Sequence, residues 1–237
     1  MGLCKKKKAL SQEDFEQQYG RHWIWTALDP ESKLLISFFI GQRTLEDCKL
    51  FIEDLAGRIK TRPLFTSDEL AHYQTTLAGQ FSTFEEQAKT GKRGRPRAAR
   101  QVVDPELMYA TVHKTRENGK VVKVTRNIVF GDTEKISKIL DSSPVSKTIN
   151  TAFVERSNLT LRNHSKNLTR KTICFAKGRE GLHAQLCIVA TYYNFSKPHS
   201  GLTLNTVGKK IRRTPAMAAK IIDRVWLLDE ILAHPMA

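Results

Sequence analysis

His22-Trp-Ile-Trp-Thr-Ala-Leu28 and Lys33-Leu-Leu-Ile-Ser-Phe-Phe-Ile40 are two apolar, β-rich runs joined by Asp29-Pro30-Glu31-Ser32. Pro pre-sets φ for the second position of a turn and Asp suits the first, so the pair predicts an antiparallel hairpin. Immediately downstream, apolar residues at 45, 48, 52, 55 and 59 keep a 3-4-3-4 spacing, which marks one helical stripe over residues 44–60. Thr44 is placed to cap that helix. Residues 63–67 then read as a short buried strand ending at Asp68. Strand, strand, helix, strand is the order of an α/β fold with a mixed sheet and helices packed on it.

Farther along, residues 69–81 predict a helix with Leu70, Tyr73 and Leu77 on one side. Residues 90–105 read as a Gly/Pro/Arg-rich loop. Residues 109–114 and 120–124 flank Arg116-Glu117-Asn118-Gly119, and Asn-Gly between strands is a strong hairpin signal. Residues 127–130 suggest a further strand, and 132–150 read as polar and irregular. From residue 151 the chain reads as helical, with Leu182, Leu186, Val189 and Tyr193 in a 4-3-4 stripe. Thr214-Pro215 then offers a cap with Pro at the first helical position, before a helix over 216–232.

The 237 residues carry 39 Lys+Arg against 24 Asp+Glu, a net charge of +15. That length fits one α/β domain or two small ones, and 40% hydrophobic residues exclude a wholly disordered chain. The longest apolar stretches, around 34–40 and 186–193, fall far short of the roughly 18 residues a membrane span needs. The expectation is a cytoplasmic protein without a membrane partner. Four cysteines at 4, 48, 174 and 187 contain no CxxC pair, which argues against a zinc ribbon or disulfide framework. The seven histidines show no metal-ligand spacing, and Trp23, Trp25 and Trp226 suit a core. Basic residues cluster at 89–100, 156–179 and 209–224, a distribution that points to a nucleic-acid phosphate partner.

Two carboxylates stand out. Asp68 sits at the C-terminal end of a strand, where side chains reach the cleft that α/β folds use for ligands; Asp there also serves simply as a helix cap. Glu155 lies in Asn150-Thr-Ala-Phe-Val-Glu-Arg-Ser-Asn-Leu-Thr-Leu-Arg162. On a helix, Glu155, Asn158, Leu159 and Arg162 share a face, because seven residues make nearly two turns. A carboxylate on that face suits a metal and an arginine suits a phosphate; a solvated helix face is the alternative.

Trp25-Thr-Ala-Leu-Asp-Pro-Glu-Ser-Lys33, Gly41-Gln-Arg-Thr44, Thr66-Ser-Asp68, the 150–162 block and Tyr192-Tyr-Asn-Phe-Ser-Lys-Pro-His199 occur in this order. Together with Thr214-Pro-Ala-Met-Ala-Ala219 and Trp226-Leu-Leu-Asp-Glu-Ile-Leu232, they resemble DDE-type bacterial insertion-sequence transposases, particularly the InsB-like branch. The resemblance implies a ribonuclease-H-like α/β fold of the retroviral-integrase type. It would be one core over 1–237, with a basic loop and β-hairpin insertion at about 89–132 and a helical segment at about 180–237. It also implies Mg²⁺-dependent (or Mn²⁺-dependent) cleavage of double-stranded DNA and strand transfer of a mobile element by a homo-oligomer on DNA. Asp68 matches the second catalytic acid and metal ligand, Glu155 the third, and Arg162 the basic residue seven positions on. Arg156, Asn158, Lys166, Arg170 and Lys171 fall in the same DNA-contacting region.

The first acid has no clear match. In the family it precedes a Lys-rich stretch, and Met1-Gly-Leu-Cys-Lys-Lys-Lys-Lys8 resembles that stretch with the preceding strand missing. The resemblance therefore implies an N-terminally truncated core, impaired in strand transfer. Asp29 is the substitute candidate, although an Asp-Pro turn explains it structurally. The nearest rival reading is a non-catalytic DNA-binding remnant or an inhibitor of the full-length enzyme, and a third is a sequence-nonspecific nuclease of the same fold. Lys92-Arg-Gly-Arg-Pro-Arg97 resembles an AT-hook, whose Arg93, Arg95 and Arg97 would enter a narrow minor groove. A basic loop touching phosphates without reading sequence is the alternative.

The three basic clusters predict strongly salt-dependent DNA binding. If about six phosphates are neutralised, log affinity falls with log salt at a slope near −5, measured by anisotropy titration; a slope shallower than about −2 contradicts a DNA track.

Overall fold

The computed structural model describes residues 2–3, 22–85, 99–169, 174, 176, 178–206 and 208–233. In chain order the first elements are β1 (Gly2–Leu3), β2 (His22–Leu28), β3 (Leu35–Gly41), α1 (Leu45–Arg58), β4 (Leu64–Asp68) and α2 (Ala71–Gln80). Then come β5 (Ser82–Glu85), β6 (Arg100–Val103), β7 (Met108–Glu117), β8 (Lys120–Phe130) and α3 (Thr133–Ser142). The remainder is α4 (Ala152–His164), α5 (Arg179–Thr191), β9 (Leu204–Thr206), β10 (Lys209–Ile211), α6 (Pro215–Ala218) and α7 (Leu228–Ala233). Among the described residues no helix is long and apolar enough to cross a membrane. The chain forms two compact units, one of residues 1–43 with 152–237 and one of residues 44–151.

In the first unit, β2 and β3 form the expected hairpin, with Ile24 opposite Ile40 and Trp25 opposite Phe39. The turn closes on Asp29, whose carboxylate accepts from the Glu31 and Ser32 amides at 3.2 and 2.9 Å and from the Ser32 hydroxyl. β1 pairs antiparallel with β2, Leu3 opposite His22, so a short strand lies beside the hairpin that the sequence pattern did not signal. On the hairpin pack α4 and α5, through Leu161, Leu182, Leu186, Val189 and Tyr193 against Ile24, Leu35 and Ile40. The α5 stripe is therefore core, as its spacing implied. Beyond Thr191 the helix loosens into a π-type turn, Tyr192–Ser196, which turns Asn194 inward. The buried Asn194 amide accepts from Leu35 N at 3.0 Å and donates to Leu35 O at 2.9 Å.

The second unit is a mixed three-stranded sheet, order β4-β7-β8, with helices. β4 runs parallel to β7, Leu64 opposite Met108 and Asp68 opposite Val112. α1 begins at the expected cap, Asp47 N donating to Thr44 Oγ1 at 3.2 Å.

Several expectations need correction. The loop reading of 90–105 hides β6, which pairs with β5 from Ser82↔Val103 to Glu85↔Arg100. Residues 132–150 are not irregular throughout: Asp132 caps α3 through the Glu134 amide at 2.9 Å, and Ile136, Ile139 and Leu140 face the core under β7. Residues 120–130 form one strand rather than two. The helical C-terminus contains the β9–β10 pair. The helix expected over 216–232 stops after Ala218, Lys220 taking a left-handed φ of 59°, and a second helix starts at Leu228.

Asn194→Ala should leave both Leu35 backbone groups buried and unpaired. The expected loss is about 2–4 kcal/mol in urea unfolding, with an unchanged m-value. Thr26→Val, which removes a half-buried bond to Asn158, should cost about 1 kcal/mol.

Candidate nucleic-acid and catalytic site

Glu155 stands in the first turn of α4 and is exposed. A carboxylate there is favoured by the helix dipole, which places about half a positive charge at the N-terminus. Ser157 and Leu161 turn the opposite face into the core, Leu161 with no exposed surface. The helix is thereby fixed with Glu155, Leu159 and Arg162 along one outward stripe, as the seven-residue spacing required. Asn158 stands beside this stripe, and its side-chain oxygen accepts from Thr26 Oγ1 at 3.1 Å, tying α4 to β2. Part of the Asn158 amide therefore serves the fold.

Three cations lie along α4, two near its start and one at its C-terminal end. Lys33 occupies a left-handed position at the end of the hairpin turn, φ 61°, and its ammonium lies 4.0 Å from the centre of the Phe153 ring. Arg156 follows Glu155 and is exposed. Lys197 reaches His164 from the segment after the π-turn, its Nζ 2.6 Å from Nε2. His164 Nδ1 lies 2.7 Å from Thr160 O, so Nδ1 carries the proton and Nε2 accepts from the lysine. His199 feels all three cations: burial first, then Lys33, Lys197 and Arg156, hold its imidazole below the ordinary range. Its Nδ1 accepts from Gly201 N at 3.2 Å, which keeps the ring neutral and leaves Nε2 as a donor. Burial also lowers the Lys33 ammonium, with Asp29 opposing that shift. A field of fixed positive charge beside a neutral donor is an anion-binding surface.

The sequence motifs include Lys33, Lys197 and His199 but give them no role, and His199 only lacks metal-ligand spacing. Their convergence depends on the hairpin turn and the segment after α5 meeting over α4, which no local pattern encodes.

Asp68 ends β4 in the second unit and is exposed. Next to it Ser67 Oγ lies 2.7 Å from the Tyr109 hydroxyl, and burial pushes that phenol above its usual range, with Ser67 opposing. The following residue, Glu69, holds His113 Nδ1 at 2.6 Å and accepts from Asn127 Nδ2 at 3.3 Å. Asp29 stays in its turn, its oxygens engaged as described above. Lys166, itself exposed, begins a 3₁₀ turn after α4 whose Leu168 is buried, and Arg162 is half-buried, its carbonyl accepting from Thr169 Oγ1 at 3.3 Å. Arg93, Arg95, Arg97, Arg170 and Lys171, and with them the AT-hook-like segment, lie outside the described residues.

Asp68 and Glu155 supply hard carboxylate oxygens, the donors Mg²⁺ and Mn²⁺ prefer, and both are exposed enough to receive a hydrated ion. Among the described residues no group of three or more His, Cys, Asp or Glu side chains is gathered as a preformed metal site.

Neither the curated proteins nor the solved structures yield a match to the chain. A family model described as IS1 transposase matches residues 128–197, which run from the end of β8 through α4 to Lys197. The outward stripe with Glu155 and Arg162, and the Tyr192–Lys197 segment folded beside it, thus lie in a region similar to IS1 transposases, and the chain resembles an insertion-sequence transposase of the InsB type.

Proposed function

We propose that the chain is the ribonuclease-H-like core of an insertion-sequence transposase, which cuts double-stranded DNA at the element's ends and joins the 3′ ends to a target. The observation that carries this reading is the transposase-like α4: Glu155 stands outward with Arg162 on its stripe, Lys33 and Arg156 lie by its first turn, and Lys197 lies at its far end against His164. A phosphodiester backbone needs such an arrangement, with cations to neutralise phosphates and a carboxylate that binds a metal rather than the DNA itself.

Asp68 and Glu155 are the residues assigned to Mg²⁺ or Mn²⁺, which when bound supplies Lewis-acid stabilisation of the phosphoryl oxygens. Asp29 remains the substitute for the first acid. Arg156, Arg162 and Lys166 would hold the backbone, with Lys33 and Lys197 added by the structure. The neutral His199 would donate from Nε2 to a phosphate oxygen without adding charge. Arg170, Lys171 and the basic segment at 93–97 extend the same surface in sequence, and a homo-oligomer on DNA, near the nucleoid, would present two element ends together.

Two measurements test the reading. Mn²⁺ binding to the chain with duplex DNA, followed by electron paramagnetic resonance, should weaken at least tenfold in Asp68→Asn and in Glu155→Gln while DNA retardation persists. In a strand-transfer assay with element ends and a target plasmid, any joining should fall at least 100-fold in either variant, the order expected when a metal clamp worth several kcal/mol is lost. Unchanged Mn²⁺ affinity in both variants contradicts the assignment. Joining abolished by Asp29→Asn would identify Asp29 as a ligand.

A further inference from the structure

β4 accompanies β7 only as far as Val112, where Asp68 ends it; β7 and β8 continue together to the Asn118-Gly119 turn. Both turn residues take positive φ, 49° and 79°, the geometry that joins two strands without splaying them. Residues 113–126 are therefore a two-stranded ribbon that leaves the sheet, with neither outer edge paired among the described residues. Five residues of β7 past Val112, at about 3.4 Å each, give it a reach of roughly 17 Å.

The ribbon does not serve a core. Val121, Val122 and Val124 are 44%, 53% and 38% exposed. Its charge has one sign: Lys114, Arg116, Lys120, Lys123 and Arg126 stand against Glu117 alone. Lysines on an edge strand also discourage strand-to-strand aggregation, but that purpose is met by mixed charges and does not ask for five cations on both strands. The root is fixed beside the candidate catalytic carboxylate. Glu69, next to Asp68, holds His113 of β7 and Asn127 of β8, and Arg126 Nε donates to Ile149 O at 2.7 Å. Because β4 and β7 are parallel, the ribbon leaves from the end of the sheet at which Asp68 stands.

We infer that this ribbon is a DNA-binding element that lies in the major groove of duplex DNA and holds the duplex at the Asp68 end of the sheet. Size selects the groove. Two strands about 4.8 Å apart with their side chains measure roughly 10 Å across, which fits a major groove about 12 Å wide and not a minor groove about 6 Å wide. Lys120, Lys123 and Arg116 would face phosphates on the groove walls or base edges on its floor, and exposed valines suit the thymine methyl groups there. The basic segments singled out in the sequence do not include this ribbon. The inference rests on DNA as the polyanion of the proposed function, and the test separates the two.

The full chain and its R116A/K120A/K123A variant are titrated with a fluorescein-labelled 30-base-pair duplex at several salt concentrations. Dimethyl sulfate probing of both complexes follows, since it methylates guanine N7 in the major groove and adenine N3 in the minor groove. Thermal unfolding should be unchanged, because the three residues are exposed. The expected result is at least a tenfold loss of affinity and a salt slope shallower by about two to three, close to 0.9 per phosphate contact removed. Guanine N7 protection seen with the parent chain should disappear. A charge-conserving R116K variant should retain the affinity. Equal affinity and slope in parent and triple variant overturn the ribbon's role while leaving the DNA reading intact. Protection confined to adenine N3 overturns the groove assignment, and no duplex binding by the parent chain overturns both readings.

Discussion

The Asn194 amide, bonded to both backbone groups of Leu35, fastens two stretches of chain 159 residues apart. A side-chain amide has the donor and acceptor of a peptide group, so at this point it serves the β3 backbone as a neighbouring strand would. The burial of both partners makes the match demanding, since an unpaired polar group there costs more than the bond itself gains. Asn194 reaches inward because α5 loosens into the π-turn just before it; such turns commonly mark functional sites. The same turn sends Lys197 back toward His164 and sets His199 among the cations. Closure of this unit and assembly of its basic surface therefore share one local irregularity.

Around α4 the electrostatics are lopsided by construction. Its inner face is spent on the core through Ser157 and Leu161, leaving Glu155 and Arg162 nowhere to point but outward. Lys33 is itself the left-handed residue that closes the hairpin turn, and Lys197 is held by the bond to His164. These cations come from segments far apart in sequence. Fixed before a ligand arrives, they lose little side-chain entropy on binding a phosphate, which is the physical advantage of preorganisation.

The second unit answers a different need. A parallel pair, β4–β7, requires a long connection between its strands, and here residues 69–107 supply it with α2 and the β5–β6 pair. Asp68 is thereby placed at a strand end with Tyr109 beneath Ser67 and the Glu69 contacts beside it. Each candidate acid is held by a separate unit, and each unit has its own core.

Local chemistry determined a good deal in the sequence alone. Asp-Pro and Asn-Gly turns and the Thr44 and Thr214 caps are satisfied by residues within one or two turns of each other, so their signals survive without a fold, and the α5 stripe is legible from its spacing alone. Asp68, Glu155 and Arg162 stood out through motif spacing, and the structure puts Asp68 at the end of β4 and Glu155 and Arg162 on α4. Tertiary structure decided what depends on distant partners. β6 is only four residues long, Arg100–Val103, and exists because β5 offers it a ladder. α3 hides in a polar stretch because only three apolar residues, Ile136, Ile139 and Leu140, meet the sheet, and the rest of the helix faces water. Which strand pairs with β4, and which cations meet over α4, are set by contacts across tens of residues. Hydrogen bonds and charges act through space, and a linear pattern records only the part of that space lying along the chain.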